Sequence, residues 1–192
     1  MSDMRPSVLI ACNKSVRNTY LSTVELQRLE VFADWSWFAC EGGGIYEAQE
    51  DLEQSAALVE RLDGVDALVV CHGAPRLNAA MMDKKQGLKI VGELEGDRFA
   101  ARIDLDAAWQ HGIRVVDTTN GSSYPVAEWA LALILISLKQ AGAHFRRIIA
   151  GQTGRDANLV AKMSGVLKGK RVGLIGCGHM GRRLIKLLEP FE

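Results

Sequence analysis

The stretch with the clearest chemical potential is "GKRVGLIGCGHMGRRLIKLLEPFE", Gly169 to Glu192. It sets Gly176, Gly178 and Gly181 in a G-x-G-x-x-G spacing, between the apolar run "RVGLI" (Arg171–Ile175) and the amphipathic run "RRLIKLL". Each glycine has a physical task when such a turn holds a dinucleotide. The first allows the tight turn, the second lets a pyrophosphate approach the backbone, and the third lets helix and strand pack closely. On this reading Arg171–Ile175 is a buried strand. The amides of His179, Met180 and Gly181, at the positive end of the following helix, then hold the phosphates. The competing reading is a glycine-rich turn that binds nothing. An acidic residue that grips the ribose is expected about 20 positions further on, beyond Glu192. The spacing therefore leaves NAD and NADP equally open.

Other candidates are sparser. His72 lies in "CHGAP" (Cys71–Pro75), directly after an apolar run, where ligand loops of parallel sheets sit. It is a candidate for substrate contact or for a local turn hydrogen bond. Arg98 and Arg102, in "VGELEGDRFAARID", could grip a carboxylate bidentately or stand as solvated loop charges. The four cysteines, Cys12, Cys40, Cys71 and Cys177, form no CxxC pair. They read as reduced thiols, three of them in or at the ends of apolar runs, and no metal site is expected.

Five short β-prone runs must carry these residues: "SVLIAC" (Ser7–Cys12), "DWSWFAC" (Asp34–Cys40), "DALVVC" (Asp66–Cys71), "LKIVGEL" (Leu88–Leu94) and "IRVVDTT" (Ile113–Thr119). Helical patterns separate them. One places Leu26, Leu29 and Phe32 on a single face. Another, from Glu47 to Leu62, puts Leu52, Ala56, Val59 and Leu62 on a stripe and is stopped by Gly64. A short helix in "RLNAAMMDKKQ" ends at Gly87, and Asp104 and Gly112 read as the N-cap and the left-handed end of another. Strands alternating with helices imply parallel pairing through crossovers. The class is α/β, a flavodoxin-like or Rossmann-like unit.

The segment "NGSSYPVAEW" opens a different helix, with Ser122 or Ser123 as cap and Pro125 in its first turn. Leu131, Leu133, Ile134, Leu135 and Ile136 leave it no polar face, so burial between layers or domains is expected. From Ala141 to Lys168 the chain is more polar, with "AGQTGRDAN" (Ala150–Asn158) as an excursion loop.

Composition excludes some partners. Among 192 residues, 48% are hydrophobic and 19 are glycine, with zero formal net charge, which suits a packed α/β protein. Neutrality gives no electrostatic reason for nucleic acid or an anionic membrane as partner. The start "MSDMRPSVLIAC" lacks the pattern of a signal peptide. The most apolar stretch, Val126 to Leu138, carries Glu128 and is shorter than the ~20 residues of a membrane span. A cytoplasmic location is expected.

Two stretches together carry a resemblance. "TTNGSSYPVAEWALALILISLK" (Thr118–Lys139) resembles the entry to the nucleotide-binding domain of the D-isomer-specific 2-hydroxyacid dehydrogenases. "LKGKRVGLIGCGHMGRRL" (Leu167–Leu184) is similar to that family's dinucleotide fingerprint, and "IDLDAAWQHGIRVVDTTN" resembles its approach to the hinge. The resemblance implies a flavodoxin-like substrate domain, residues 1–117, followed by the start of a Rossmann NAD(P)-binding domain, residues 118–192. It implies hydride exchange between NAD or NADP and a 2-hydroxy or 2-oxo acid, with a homodimer as the full-length assembly. Gly176, Gly178 and Gly181 match the fingerprint. Thr119 and Asn120 match the turn near the nicotinamide end, and are equally readable as ordinary turn residues. The chain departs from the family in "VGELEGDRFAARID", which lacks the usual closely spaced glycines. It departs again in its histidines, because His72, His111, His144 and His179 do not match the catalytic one. The family's arginine, glutamate and histidine are expected beyond Glu192. The chain thus reads as the front part of an oxidoreductase, inactive alone and prone to associate. The alternatives are a dinucleotide-sensing regulator of corepressor type, or another Rossmann enzyme such as an adenosylhomocysteine hydrolase type.

Overall fold

Runs that are apolar at successive positions suit parallel strands covered on both faces. The computed structural model of the protein, which describes residues 5–43, 51–84, 87–94, 102–154, 156–161 and 165–191, shows this arrangement. The chain divides into two compact units, Met1–Thr119 and Asn120–Glu192.

The first unit is built on five parallel strands: β1 (Ser7–Cys12), β2 (Asp34–Ala39), β3 (Ala67–Val70), β4 (Ile90–Glu93) and β5 (Arg114–Asp117). Their order is β2-β1-β3-β4-β5, the flavodoxin-like order. β1 is an interior strand, with Val8 paired to Trp35 of β2 on one side and Ala67 of β3 on the other. Its side chains alternate between two cores. Leu9 and Ala11 join Leu58, Leu68, Val70, Met82 and Val91 on one face. Val8, Ile10 and Cys12 join Val16, Leu26 and Cys71 on the other. Burying one such side chain contributes about 1.5–3 kcal/mol, so the alternation fixes register.

The crossover helices are α1 (Lys14–Thr19), α2 (Thr23–Glu30), α3 (Leu52–Arg61), α4 (Ala79–Lys84) and α5 (Leu105–Gln110). Asn13 Oδ1 caps α1 by accepting from the Val16 amide at 2.9 Å. Asp104 Oδ1 caps α5 through the Ala107 amide at 3.1 Å, as its sequence position predicts. Gly64 and Gly112 close their helices with φ of +71° and +68°, a conformation that penalises a Cβ. The stripe expected on α3 is met only in part. Leu62 is buried and Val59 packs against the core, whereas Leu52, at the first position of the helix, is 88% exposed and Leu58 is the fully buried residue. Phe32, expected beside Leu26 and Leu29, lies past the end of α2 and is exposed.

The second unit contains α6 (Ser123–Leu138), α7 (Ala141–Ile149), α8 (Ala157–Ala161) and α9 (His179–Leu188). Two expectations are corrected here. Arg171–Ile175 is not a strand and not buried: Val172 and Leu174 are each 38% exposed and Ile175 is fully exposed. No described strand lies beside it, and a lone strand has no ladder to satisfy its backbone. The apolar helix α6 is likewise not enclosed. Only Ser123 and Ala127 are buried, while Trp129, Leu133 and Ile136 face outward. Gln140, at φ +50°, breaks the chain at a 71° bend into α7, which exposes Phe145, Ile148 and Ile149. Among the described residues, no single helix is long and apolar enough to cross a membrane.

Candidate dinucleotide site and sheet edge

The glycine turn meets the steric demands of a phosphate cradle. Gly176 takes φ +88°. A Cβ at Gly181 would lie 2.9 Å from the Gly176 carbonyl oxygen, so helix and turn approach as only glycine permits. At Gly178 a Cβ would meet nothing within 4 Å, which leaves open space before the turn. Gly178 is also the N-cap of α9, and no side chain caps that helix end. His179 and Met180 begin the helix with exposed side chains. These features fit a dinucleotide pyrophosphate: backbone donors, a positive helix end and room for an anion. Gly176, Gly178, His179, Met180 and Gly181 would hold it.

Behind the turn, α9 packs on α6. Arg183, two residues past the last glycine, reaches the start of α6. Its Nε donates to Ser123 Oγ at 2.7 Å and its Nη2 to Asn120 Oδ1 at 3.1 Å. Its guanidinium lies over the Tyr124 ring, 3.2 Å from the centroid. Ser123 Oγ in turn donates to the Asn120 carbonyl at 2.7 Å. A cavity of about 270 Å³ opens beside this cluster, lined by Tyr124, Glu128, Arg182, Arg183 and Lys186 among others. Nothing in the glycine spacing signals Arg183, since helical arginines are common. The Ser-Ser-Tyr triplet ahead of Pro125 is the only hint of a polar anchor there.

In the first unit the carboxyl ends of the strands converge tightly. The Asn13 amide donates to the His72 carbonyl at 2.7 Å, and the Cys40 amide to the Cys12 carbonyl at 3.1 Å. Gly73, at φ +85°, sits where a Cβ would lie 3.0 Å from both Asn13 Cβ and the Gly42 carbonyl oxygen. The ring of His72 is half-buried, edge-on to Tyr20 at 5.9 Å between centroids. Sequence reasoning missed Asn13 and Gly73. The signal for Asn13 was a capping residue directly before a helical run. Burial raises the Cys12 thiol, and burial followed by the neighbouring Cys12 pushes Cys40 up to about 12. Both therefore stay protonated and unreactive.

Arg102 is placed otherwise than either of its readings. It is fully buried, with Nη1 3.5 Å from Oε2 of the equally buried Glu93 at the end of β4. A guanidinium enclosed with a carboxylate is taken up by that pair and is not solvated. Its carbonyl accepts from the Leu77 amide at 2.8 Å, and Leu77 bridges to Ile103. Arg98 lies outside the described residues. Thr118 Oγ1 donates to the Leu94 carbonyl at 2.7 Å, and the Thr119 amide donates to Asp117 Oδ1 at 3.1 Å. The Thr119 hydroxyl donates to the same carboxylate. Among the described residues, no group of three His, Cys, Asp or Glu side chains could hold a metal.

Known proteins resemble this chain in sequence or in fold. A D-3-phosphoglycerate dehydrogenase of Methanocaldococcus jannaschii is 31% identical over 138 residues, which cover 70% of this chain and 24% of that protein. The chain thus spans about a quarter of the length of such a relative. A phosphoglycerate oxidoreductase from Rhizobium etli superposes with a TM-score of 0.71 at 18% identity, over 97% of this chain and 54% of that one. An NAD-dependent formate dehydrogenase from Staphylococcus aureus, solved in complex with NAD, gives 0.60 at 23% identity, over 96% and 52%. The profile of the D-isomer specific 2-hydroxyacid dehydrogenase catalytic domain matches residues 22–164. With a 2-1-3-4-5 parallel sheet followed in sequence by a G-x-G-x-x-G turn, and with that profile matched over most of its length, this chain belongs to the D-isomer specific 2-hydroxyacid dehydrogenase family.

Proposed function

We propose that this chain is the substrate-domain sheet and the opening of the dinucleotide site of an NAD(P)-dependent 2-hydroxyacid dehydrogenase. The observation that carries this reading is the glycine turn. The 2.9 Å approach at Gly181, the positive φ at Gly176 and the open space at Gly178 each remove an obstacle to a bound pyrophosphate. The relatives whose names specify D-3-phosphoglycerate dehydrogenation point to a 2-hydroxy acid as substrate class. When bound, the nicotinamide would exchange a hydride with the carbonyl carbon of the 2-oxo acid. The protein must then handle the proton on the hydroxyl oxygen.

Residues 1–192 are assigned binding roles only. Thr119 and Asn120 are proposed at the nicotinamide end, and His72 at the substrate edge of the sheet. Arg98 remains a proposed carboxylate contact. Arg102 is better suited to a structural role, through its buried pair with Glu93. The proton-transferring residues are not assigned to this chain, which alone is expected to transfer no hydride. Exposed Trp129, Leu133, Ile136 and Phe145 support a homodimer of the full-length form that covers them. No observation favours the regulator or the hydrolase reading.

The test is ligand-observed NMR with NAD and NADP. Saturation transfer to the adenine and ribose protons is expected, and its absence with both nucleotides overturns the reading. Loss of NADH absorbance on adding any 2-oxo acid to the 192-residue chain would overturn the assignment of binding roles only.

A further inference from the structure

We propose that Arg183 is a positioning residue that ties the dinucleotide turn to the Asn120–Ser123 turn, and so sets where the nicotinamide end of the cofactor lies. The inference rests on the reading of Gly176–Gly181 as a dinucleotide site and of Asn120 as part of its nicotinamide end. Three contacts of one guanidinium carry it. The Nε–Ser123 and Nη2–Asn120 hydrogen bonds use two edges of the planar fork, and Tyr124 takes its face. The ring closes when the Ser123 hydroxyl, accepting from Arg183, donates to the Asn120 carbonyl. Ser123 is fully buried, so the Arg183–Ser123 bond at the base of this ring is partly shielded from competing water, while the Asn120 edge faces solvent.

The geometry links two segments 60 positions apart in sequence. Arg183 sits on the first turns of α9, whose N-terminus is the phosphate end of the site. Asn120 stands at the entrance to α6. Gly181 is pressed against Gly176, so the distance from cradle to Arg183 is rigid. A lysine would supply charge but neither the fork nor the stacking plane. The Ser123 hydroxyl and the Asn120 amide would then lose their shared donor. What Arg183 controls is the position of one end of the cofactor relative to the other, and not the phosphate grip itself.

The experiment compares NADH with ADP-ribose, which keeps the adenosine and pyrophosphate but lacks nicotinamide. Both are titrated calorimetrically into the wild-type protein, Arg183→Lys and Arg183→Ala. Loss of the two bonds is expected to weaken NADH by about tenfold in both variants, with ADP-ribose changed by less than about twofold. Retained ADP-ribose binding also shows that the variants fold. An equal loss for both ligands would overturn the proposal, because Arg183 would then support the whole unit. Unchanged NADH affinity would overturn it too. If the wild type binds neither ligand, the dinucleotide reading itself fails and this inference falls with it.

Discussion

Two short apolar runs of this chain meet opposite fates. Ser7–Cys12 is a strand whose residues from Val8 to Cys12 are all buried, whereas Arg171–Ile175, of similar β-propensity, forms no strand and exposes Ile175 completely. The difference lies in their neighbours. β1 has β2 paired along its whole length on one side and β3 paired from Val8 to Ala11 on the other. The run at 171–175 has no described strand beside it. Propensity nominates a strand, and a ladder on either side decides whether it forms.

The widest separation between the two runs should appear in stability. Leu9→Ala, inside β1 with 2% exposure, is expected to cost about 2–5 kcal/mol in denaturant unfolding. Ile175→Ala should change stability by no more than about 0.5 kcal/mol. Equal costs would show that residues 171–175 are buried after all, and the contrast would collapse.

A smaller effect tests whether the exposed run nonetheless leads into a built site. Gly181→Ala forces a Cβ against the Gly176 carbonyl oxygen. Dinucleotide affinity should fall by about tenfold or more, equivalent to ~1.4 kcal/mol. Thermal unfolding of the sheet unit should be unchanged. Unaltered affinity in this variant would mean the turn is not the cradle.

The smallest effect concerns the sheet unit alone. A hydrogen bond from Lys89 Nζ, followed by one from the Ser7 amide, holds the Asp66 carboxyl below its ordinary value. A lowered carboxyl contributes stability that is fully present above its unfolded value, about 3.9, and is lost as pH falls through the folded value. Stability should therefore decline with acidification across that window, and Asp66→Asn should flatten the decline. An identical acid profile in the variant would assign the effect to other carboxylates.

The sheet was legible in the sequence because each strand is short, apolar and separated by a helix with readable ends such as Asp104 and Gly112. The glycine turn was legible because steric rules act on single residues. What escaped was set by distant partners. Leu52 has the helical spacing of a buried residue, but its exposure at the first position of α3 depends on which distant residues cover that end. The enclosure of Arg102 with Glu93 joins residues nine positions apart in a stretch whose composition reads as solvated. Arg183 is recognisable only once Asn120 and Ser123 stand opposite it.

The cysteines bear on how the protein can be observed. Cys12, Cys40 and Cys71 are buried, while Cys177 is exposed between the first two glycines of the turn. A maleimide dye added to the folded protein would therefore attach at one place, without engineered substitutions. Its attachment point is the strip of backbone where the phosphates are proposed to rest. Bound nucleotide would shield that sulfur from the dye, so the native chain carries its own single-site reporter of occupancy.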